Sequence, residues 1–223
     1  MAVITISREY GSRGEEIAQQ VANQLGYSYF DKELLTDVAR EVDTTEDKIS
    51  EHDEKDEHGF RAFLKNLFGP NNPGLAHYPY YPGIAVDVSD EFTNRQLELD
   101  ANQVTNSFRH VVENLWERGN VVIVGRGSQK ILAAKPDTLH LSFIGKIGVR
   151  AETVMKAEHL TREEALEKIQ TIDEQRSHYI KRYYDVYWEN PRLYHMIINT
   201  SLMSVEQAVK VIVAMVHQMK ADV

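Results

Sequence analysis

A glycine-containing loop near the amino terminus carries the first candidate chemistry of the sequence. Residues 8–14 hold two glycines and two arginines between a β-branched apolar run and an amphipathic repeat. Such a loop presents backbone N–H groups and a helix N-terminus to an anion, which predicts a phosphate site. The Walker pattern G-x-x-x-x-G-K-[ST] is not met, because Gly14 stands where its lysine would be. A tight turn that needs Gly11 and Gly14 for backbone geometry is the open alternative.

Two further polar residues follow predicted strands. Arg126 lies between Gly125 and Gly127, directly after the strongest apolar run, and its planar guanidinium suits a phosphate or a base edge. Asp31 occupies the matching place after the second strand. Ligands of open parallel sheets bind outside the carboxyl ends of the strands, which favours both as ligand-binding residues. The alternatives are a salt-bridged arginine and an aspartate that caps a helix.

A basic and aromatic segment, residues 173–187, is the third candidate. A mobile helix that brings arginines over transferring phosphates has this composition. The open alternative is a solvated amphipathic helix whose tyrosines pack on the core. The basic residues and tyrosines concerned are Arg176, His178, Lys181, Arg182, Tyr179, Tyr183 and Tyr184.

Several chemistries are disfavoured by residue type. The absence of cysteine excludes disulfides, thiolate catalysis, cysteine zinc sites and iron–sulfur clusters. His52 and His58 lie among carboxylates, but they are six residues apart and their segment is almost entirely polar, which is typical of a solvated segment. We therefore expect no metal site there.

The spacing of apolar residues predicts the elements that position these groups. Apolar β-branched runs predict buried parallel strands, and helical repeats between them indicate a βαβ fold. Thr161 with Glu164, and Ser204 with Gln207, have the spacing of helix capping boxes. Residues 69–92 form one long irregular stretch rich in glycine, proline and tyrosine. The strands are predicted at residues 3–6, 27–30, 121–124, 139–144 and 196–198.

Length and charge limit the classes of protein. The 223 residues suit one α/β domain, and a net charge of −9 argues against a nucleic-acid protein with a general basic surface. Apolar runs fall short of the ~18 residues of a membrane span, and charged residues interrupt the amino terminus where a signal peptide would be apolar. We therefore expect a cytoplasmic protein with no membrane or nucleic-acid partner, and leave a homo-oligomer open.

Taken together, several segments resemble the cytidylate kinase-like family, a branch of the P-loop nucleoside monophosphate kinases. The resemblance covers nearly the whole chain and implies a three-layer α/β fold of P-loop NTPase type, with a central parallel sheet and helices on both faces. It implies one domain over residues 1–223, with an irregular acceptor-side insertion at about 51–102 and a lid-like helical segment at about 160–190. The segments are residues 4–12, 30–35, 121–127, 173–182 and 199–201.

The resemblance implies ATP-dependent phosphoryl transfer to a nucleoside monophosphate, with CMP or dCMP as the expected acceptor. Mg²⁺ would arrive with ATP rather than occupy a metal site of the protein. The loop residues expected to hold the ATP phosphates are Gly11, Ser12, Arg13 and Gly14. The expected acceptor-binding residues are Asp31, Arg109 and Arg126. The expected catalytic residues are Arg8, Arg13, Arg176 and Arg182, of which Arg8 or Arg13 would replace the missing lysine.

The sequence also departs from the family pattern. Glu15 places a carboxylate near the expected phosphates, and Gly127 stands where true cytidylate kinases carry an aspartate. These departures favour, as an alternative, a nucleotide-binding regulatory protein with impaired catalysis. A kinase for another small acceptor is the third interpretation.

Overall fold

A five-stranded parallel sheet forms the centre of the molecule. In the computed structural model, the described residues are 2–31 and 101–221. The strand order is β2-β3-β1-β4-β5, so β1 pairs with β3 on one side and with β4 on the other. The strands are β1 (Val3–Arg8), β2 (Ser28–Phe30), β3 (Val121–Val124), β4 (Thr138–Ile144) and β5 (Met196–Asn199).

Helices connect successive strands, as parallel pairing requires. The third helix is a single short turn and the fifth is the longest of the described helices. A 3₁₀ turn, Pro191–Leu193, precedes β5. The helices are α1 (Gly14–Leu25), α2 (Ala101–Arg118), α3 (Ser128–Ile131), α4 (Ile147–Glu158), α5 (Arg162–Tyr184) and α6 (Val205–Ala221).

Both faces of the sheet are buried, and this explains the continuous apolar runs in its strands. On β3, Val122 and Val124 pack into a core with residues of α1 and α6. The alternate residues Val121 and Ile123 face a second core with residues of α2. The predicted three-layer α/β architecture with helices on both faces is therefore confirmed.

The helix ends follow the predicted signals. The side chain of Thr161 accepts a hydrogen bond from the Glu164 backbone N–H, and the Glu164 carboxylate accepts one from the Thr161 N–H, so α5 begins with the predicted capping box. The same reciprocal pair joins Ser204 and Gln207 ahead of α6. Both boxes fix where long helices start.

Part of the sequence interpretation falls outside the described residues. Residues 32–100 are not described, and they include the polar segment 51–58, both of its histidines, and most of the expected insertion at about 51–102. Among the described helices, none combines the length and the apolar character needed to cross a membrane.

A pair of histidines that the sequence analysis did not single out lies at the β4 side of the core. His140 Nδ1 is 2.7 Å from Thr5 Oγ1, and the His140 backbone N–H donates to His195 Nδ1 at 2.9 Å. The two rings stack with centroids 5.0 Å apart. Burial, together with the neighbouring His195, lowers the pKa of His140 from 6.5 to about 4.

Because the pKa of His140 is lowered, we expect the folded protein to lose stability in acid. The unfolded chain binds a proton near pH 6.5 while the folded chain does so only near pH 4, so stability falls as the pH drops through that window. We expect the free energy of unfolding to decrease by roughly 2 kcal/mol between about pH 7.5 and about pH 5 from this group alone. Urea unfolding at the two pH values measures it. His140→Gln should flatten the dependence, whereas the control His110→Gln, at an exposed histidine, should preserve it. An unchanged pH dependence in His140→Gln would contradict the assignment.

Candidate functional site

The carboxyl edge of the sheet brings the predicted site segments together. Because all five strands run parallel, the loops that follow them emerge at the same edge. Phe30 pairs with Ile123, so the half-buried Asp31 lies beside the end of β3. Arg8, at the end of β1, lies so close to Gly125 that a Cβ atom added to Gly125 would be 2.9 Å from Arg8 Nη1. The loops after β1 and β3 are therefore direct neighbours.

The loop after β1 needs both of its glycines. Gly11 has φ +75°, and a Cβ on it would lie 2.8 Å from the carbonyl oxygen of Arg150. A Cβ on Gly14 would lie 2.8 Å from Cβ of Arg8. Backbone geometry, the alternative given by the tight-turn interpretation, is therefore sufficient to explain both glycines. The same turn ends at Arg13, which has φ 60° in the left-handed region and precedes α1. No side chain caps α1 here, so the first N–H groups of the helix are suited to an anion.

Two arginines meet one carboxylate at this helix N-terminus. Arg8 donates to Glu15 Oε1 from Nε at 3.0 Å and from Nη2 at 2.5 Å. Arg176, from α5, places Nη2 3.7 Å from the same oxygen. Glu15 lies in the first turn of α1, so its carboxylate is the anion that the two guanidiniums and the helix dipole hold here.

Arg176 is fixed by contacts with the loop itself. Its Nη1 donates to the Arg8 carbonyl oxygen at 3.0 Å, and its guanidinium lies 5.6 Å from the ring centroid of Tyr10. Burial, and secondly the positive charge of Arg8, lower the pKa of Arg176 to about 9. The group therefore stays protonated at neutral pH and supplies positive charge at the loop.

The other predicted loop and lid residues are placed differently. Ser12 is buried, and its hydroxyl donates to the Glu9 carbonyl oxygen at 2.7 Å, which stabilises the turn. Arg13 pairs with Glu16 at 2.8 Å on the outside of α1. Arg182 is exposed, and its guanidinium lies 5.7 Å from the Tyr183 ring centroid. Of the four arginines expected to be catalytic, the structure brings Arg8 and Arg176 together.

Arg126 is held by aromatic rings at the end of β3. Its guanidinium lies 4.6 Å from the ring centroid of Phe108 on α2 and 5.5 Å from that of Tyr179 on α5. Tyr184 donates its hydroxyl to the Arg126 carbonyl oxygen at 2.8 Å. Burial raises the pKa values of Tyr179 and Tyr184, so both phenols stay neutral. The rings restrict the orientation of the Arg126 fork.

Arg109 lies at the solvent side of the same cluster. It follows Phe108 on α2, is exposed, and its charge acts on the Tyr184 phenol. Arg126 follows β3, and Asp31 follows β2, which pairs with β3. Tyr184, which donates to the Arg126 carbonyl oxygen, is thus the residue that relates Arg109 to Arg126.

Three buried or half-buried charges beside the loop were not among the residues predicted from the sequence. Arg150 on α4 donates to Asp173 Oδ2 at 2.5 Å and lies 3.3 Å from Glu9 Oε2. Glu9 also accepts a hydrogen bond from the Gly145 N–H at 2.8 Å. The available signal was weak: Arg150 stands four residues before the buried Val154, at a helix position where an apolar residue is the usual choice.

Among the described residues, no group of three or more His, Asp or Glu side chains could hold a metal ion.

Solved structures of similar fold cover nearly all of the chain. A protein from Eubacterium ventriosum ATCC 27560, described as uncharacterized, is 19% identical with a TM-score of 0.66, covering 97% of this chain and 99% of that one. Shikimate kinase from Bacteroides thetaiotaomicron is 10% identical with a TM-score of 0.46, covering 97% and 98%. Shikimate kinase from Acinetobacter baumannii, in complex with shikimate, is 11% identical with a TM-score of 0.44, covering 98% and 94%. The first likeness supports the fold, and the other two are too distant to support an argument.

The family assignment rests on sequence over nearly the full length. No curated protein matches the chain. The family described as the cytidylate kinase-like family matches residues 3–202, which include every strand and both of the loops described above. With the parallel sheet and its flanking helices, this confirms the predicted resemblance and the α/β fold of P-loop NTPase type. The chain belongs to the cytidylate kinase-like family.

Proposed function

We propose that this protein is a nucleotide kinase that transfers a phosphoryl group from ATP to a nucleoside monophosphate, with CMP or dCMP as the acceptor. The observation that carries the proposal is the convergence of Arg8 and Arg176 on the uncapped N-terminus of α1. Membership in the cytidylate kinase-like family supports the same class of reaction.

The donor phosphates would take the place that the Glu15 carboxylate holds. The first N–H groups of α1 and its dipole favour an anion, and Arg8 and Arg176 approach that place from two different elements. Phosphoryl transfer depends on positioning and charge neutralisation rather than on covalent chemistry by the protein. The two arginines would supply the charge that a Walker lysine provides elsewhere.

The acceptor would bind at the ends of β2 and β3. Arg126 presents a planar guanidinium fixed by Phe108 and Tyr179, and such a fork suits the two oxygens of a monophosphate. Asp31, beside the end of β3, and Arg109, next to Phe108 on α2, would be the further residues that contact the acceptor. Because Arg8 approaches Gly125, the proposed donor and acceptor regions are adjacent, as in-line transfer requires.

Mg²⁺ would bind through the ATP phosphates and neutralise part of their charge. Ser12 and Asp31 are the residues that would contact its hydration shell. The Ser12 hydroxyl now bonds within the loop, so this contact would need it to turn toward the nucleotide.

A second candidate function is a nucleotide-binding regulatory protein that does not catalyse transfer. The occupation of both arginines by Glu15 favours it, since a resident carboxylate competes with the donor phosphates. In this case the protein would bind nucleotides weakly and show no turnover.

The first test is acceptor-dependent turnover. We expect ADP formation from MgATP that requires CMP or dCMP, in a panel that includes the other nucleoside monophosphates. Arg176→Gln should lower kcat/KM by about 100-fold or more, because it removes a charge held in place before the reaction. Arg162→Gln, at an exposed position on the same helix, is the matched control and should keep wild-type activity. MgATP-induced thermal stabilisation without turnover on any acceptor would support the second candidate instead.

The second test addresses the resident carboxylate. Glu15→Gln removes the negative charge from Arg8 and Arg176, so we expect MgATP to bind about tenfold more tightly by titration calorimetry. The control Glu16→Gln changes the neighbouring carboxylate, which pairs with Arg13 outside this cluster, and should leave the Kd unchanged. Weaker binding in Glu15→Gln would mean that Glu15 organises the arginines rather than competes with phosphate.

A further inference from the structure

Asp173 joins the helix α5 to the backbone of the loop after β1. Its Oδ1 accepts a hydrogen bond from the Tyr10 N–H at 2.8 Å, and its Oδ2 accepts one from Arg150 Nη1 at 2.5 Å. One carboxylate thus connects a loop amide with a buried guanidinium. Arg176 stands three residues later on α5, on the same face of the helix, where it donates to the Arg8 carbonyl oxygen.

Arg150 completes this connection from α4. Its Nε donates to the Gly145 carbonyl oxygen at 3.1 Å, and its Nη1 donates to the Tyr10 carbonyl oxygen at 3.1 Å. Glu9 lies 3.3 Å from Nε and accepts from the Gly145 N–H. Most of these partners follow the ends of β1 and β4. The Arg150 guanidinium therefore joins α4 not only to α5 but also to the loop after β1.

Stability alone does not account for this arrangement. The helices α4 and α5 already share an apolar cluster, in which Ala151 and Val154 pack with Ala165 and Ile169. A buried ion pair contributes little net stability compared with apolar residues of similar volume, because both charges lose their hydration. What the pair adds is a fixed register between α5 and the loop.

We propose that Arg150 and Asp173 are positioning residues that latch α5 to the loop after β1 and thereby hold Arg176 where the donor phosphates bind. The proposal rests on the proposed function for its second half, since the phosphates are those of the kinase donor. The latch itself is a property of the nucleotide-free protein.

The chain offers a matched control for the latch. Lys168 on α5 pairs with Glu158 on α4 at 2.6 Å, so it also joins these two helices by an ion pair. Within residues 2–31 and 101–221, neither Lys168 nor Glu158 hydrogen-bonds to the loop backbone, although Glu158 accepts a hydrogen bond from the Tyr10 hydroxyl. Lys168→Gln therefore removes an interhelical charge pair and leaves the hydrogen bond to the Tyr10 N–H in place.

The experiment measures hydrogen exchange at the Tyr10 amide by NMR in the nucleotide-free protein. Arg150→Lys keeps the charge but loses the fork, and Asp173→Asn keeps the shape but loses the charge. We expect exchange at Tyr10 to become roughly tenfold faster in both variants and to stay unchanged in Lys168→Gln. Asp173→Asn is nearly isosteric, so it provides the readout if Arg150→Lys does not fold.

The Kd of MgATP is then measured for the same proteins. We expect it to rise about tenfold in Arg150→Lys and Asp173→Asn, with the KM for the acceptor unchanged, because only the donor side is displaced. Unchanged exchange at Tyr10 in both variants would overturn the latch. Faster exchange with an unchanged Kd would overturn the positioning role. If the wild-type protein binds neither MgATP nor pyrophosphate, the proposed function fails and takes the positioning role with it, even where exchange at Tyr10 responds.

Discussion

The geometry of the sheet edge depends on one buried cation, the guanidinium of Arg150. A charge that is 8% exposed is tolerated only where hydrogen-bond acceptors surround it, so the segments that supply them must stay in place. Those acceptors come from the loop after β1, from the end of β4 and from α5. The need to satisfy this one group therefore sets how the loop after β1 and the helix α5 sit against each other.

A second constraint is the competition between a resident carboxylate and an incoming anion. Helix N-termini attract negative charge, and in an uncapped helix a first-turn glutamate can provide it. Glu15 does so while pairing with Arg8 and Arg176. This balance accounts for a loop that lacks the usual lysine, because the positive charges of Arg8 and Arg176 are already compensated by Glu15. In the proposed function, the same balance determines how strongly ATP must bind to displace Glu15.

The helix α5 has two different roles along its length. Its middle carries Asp173 and Arg176, which contact the loop after β1, and its carboxyl-terminal part carries Tyr179 and Tyr184, which surround the segment at Arg126. The arginine and the tyrosines that the sequence singled out in this segment therefore lie on different parts of one helix, Arg176 at the loop after β1 and Tyr179 beside Arg126. A single rigid element connects the region proposed for the donor with that proposed for the acceptor.

The sequence by itself determined the strands, the starts of the two helices that begin with capping boxes, and the edge of the sheet at which the candidate residues lie. Apolar runs such as Val121–Val124 report burial on both faces, and capping boxes such as that of Thr161 act over three residues, so local spacing suffices to predict them. It also placed Arg8 and Arg126 at strand ends.

Only the tertiary structure decided which charges meet. Arg176 contacts Arg8 across 168 residues of chain, and Arg150 reaches Tyr10 across 140, because β1 lies between β3 and β4 in the sheet. Local periodicity carries no information about such strand order, which is why Glu9, Arg150 and Asp173 could not be assigned before the fold was known.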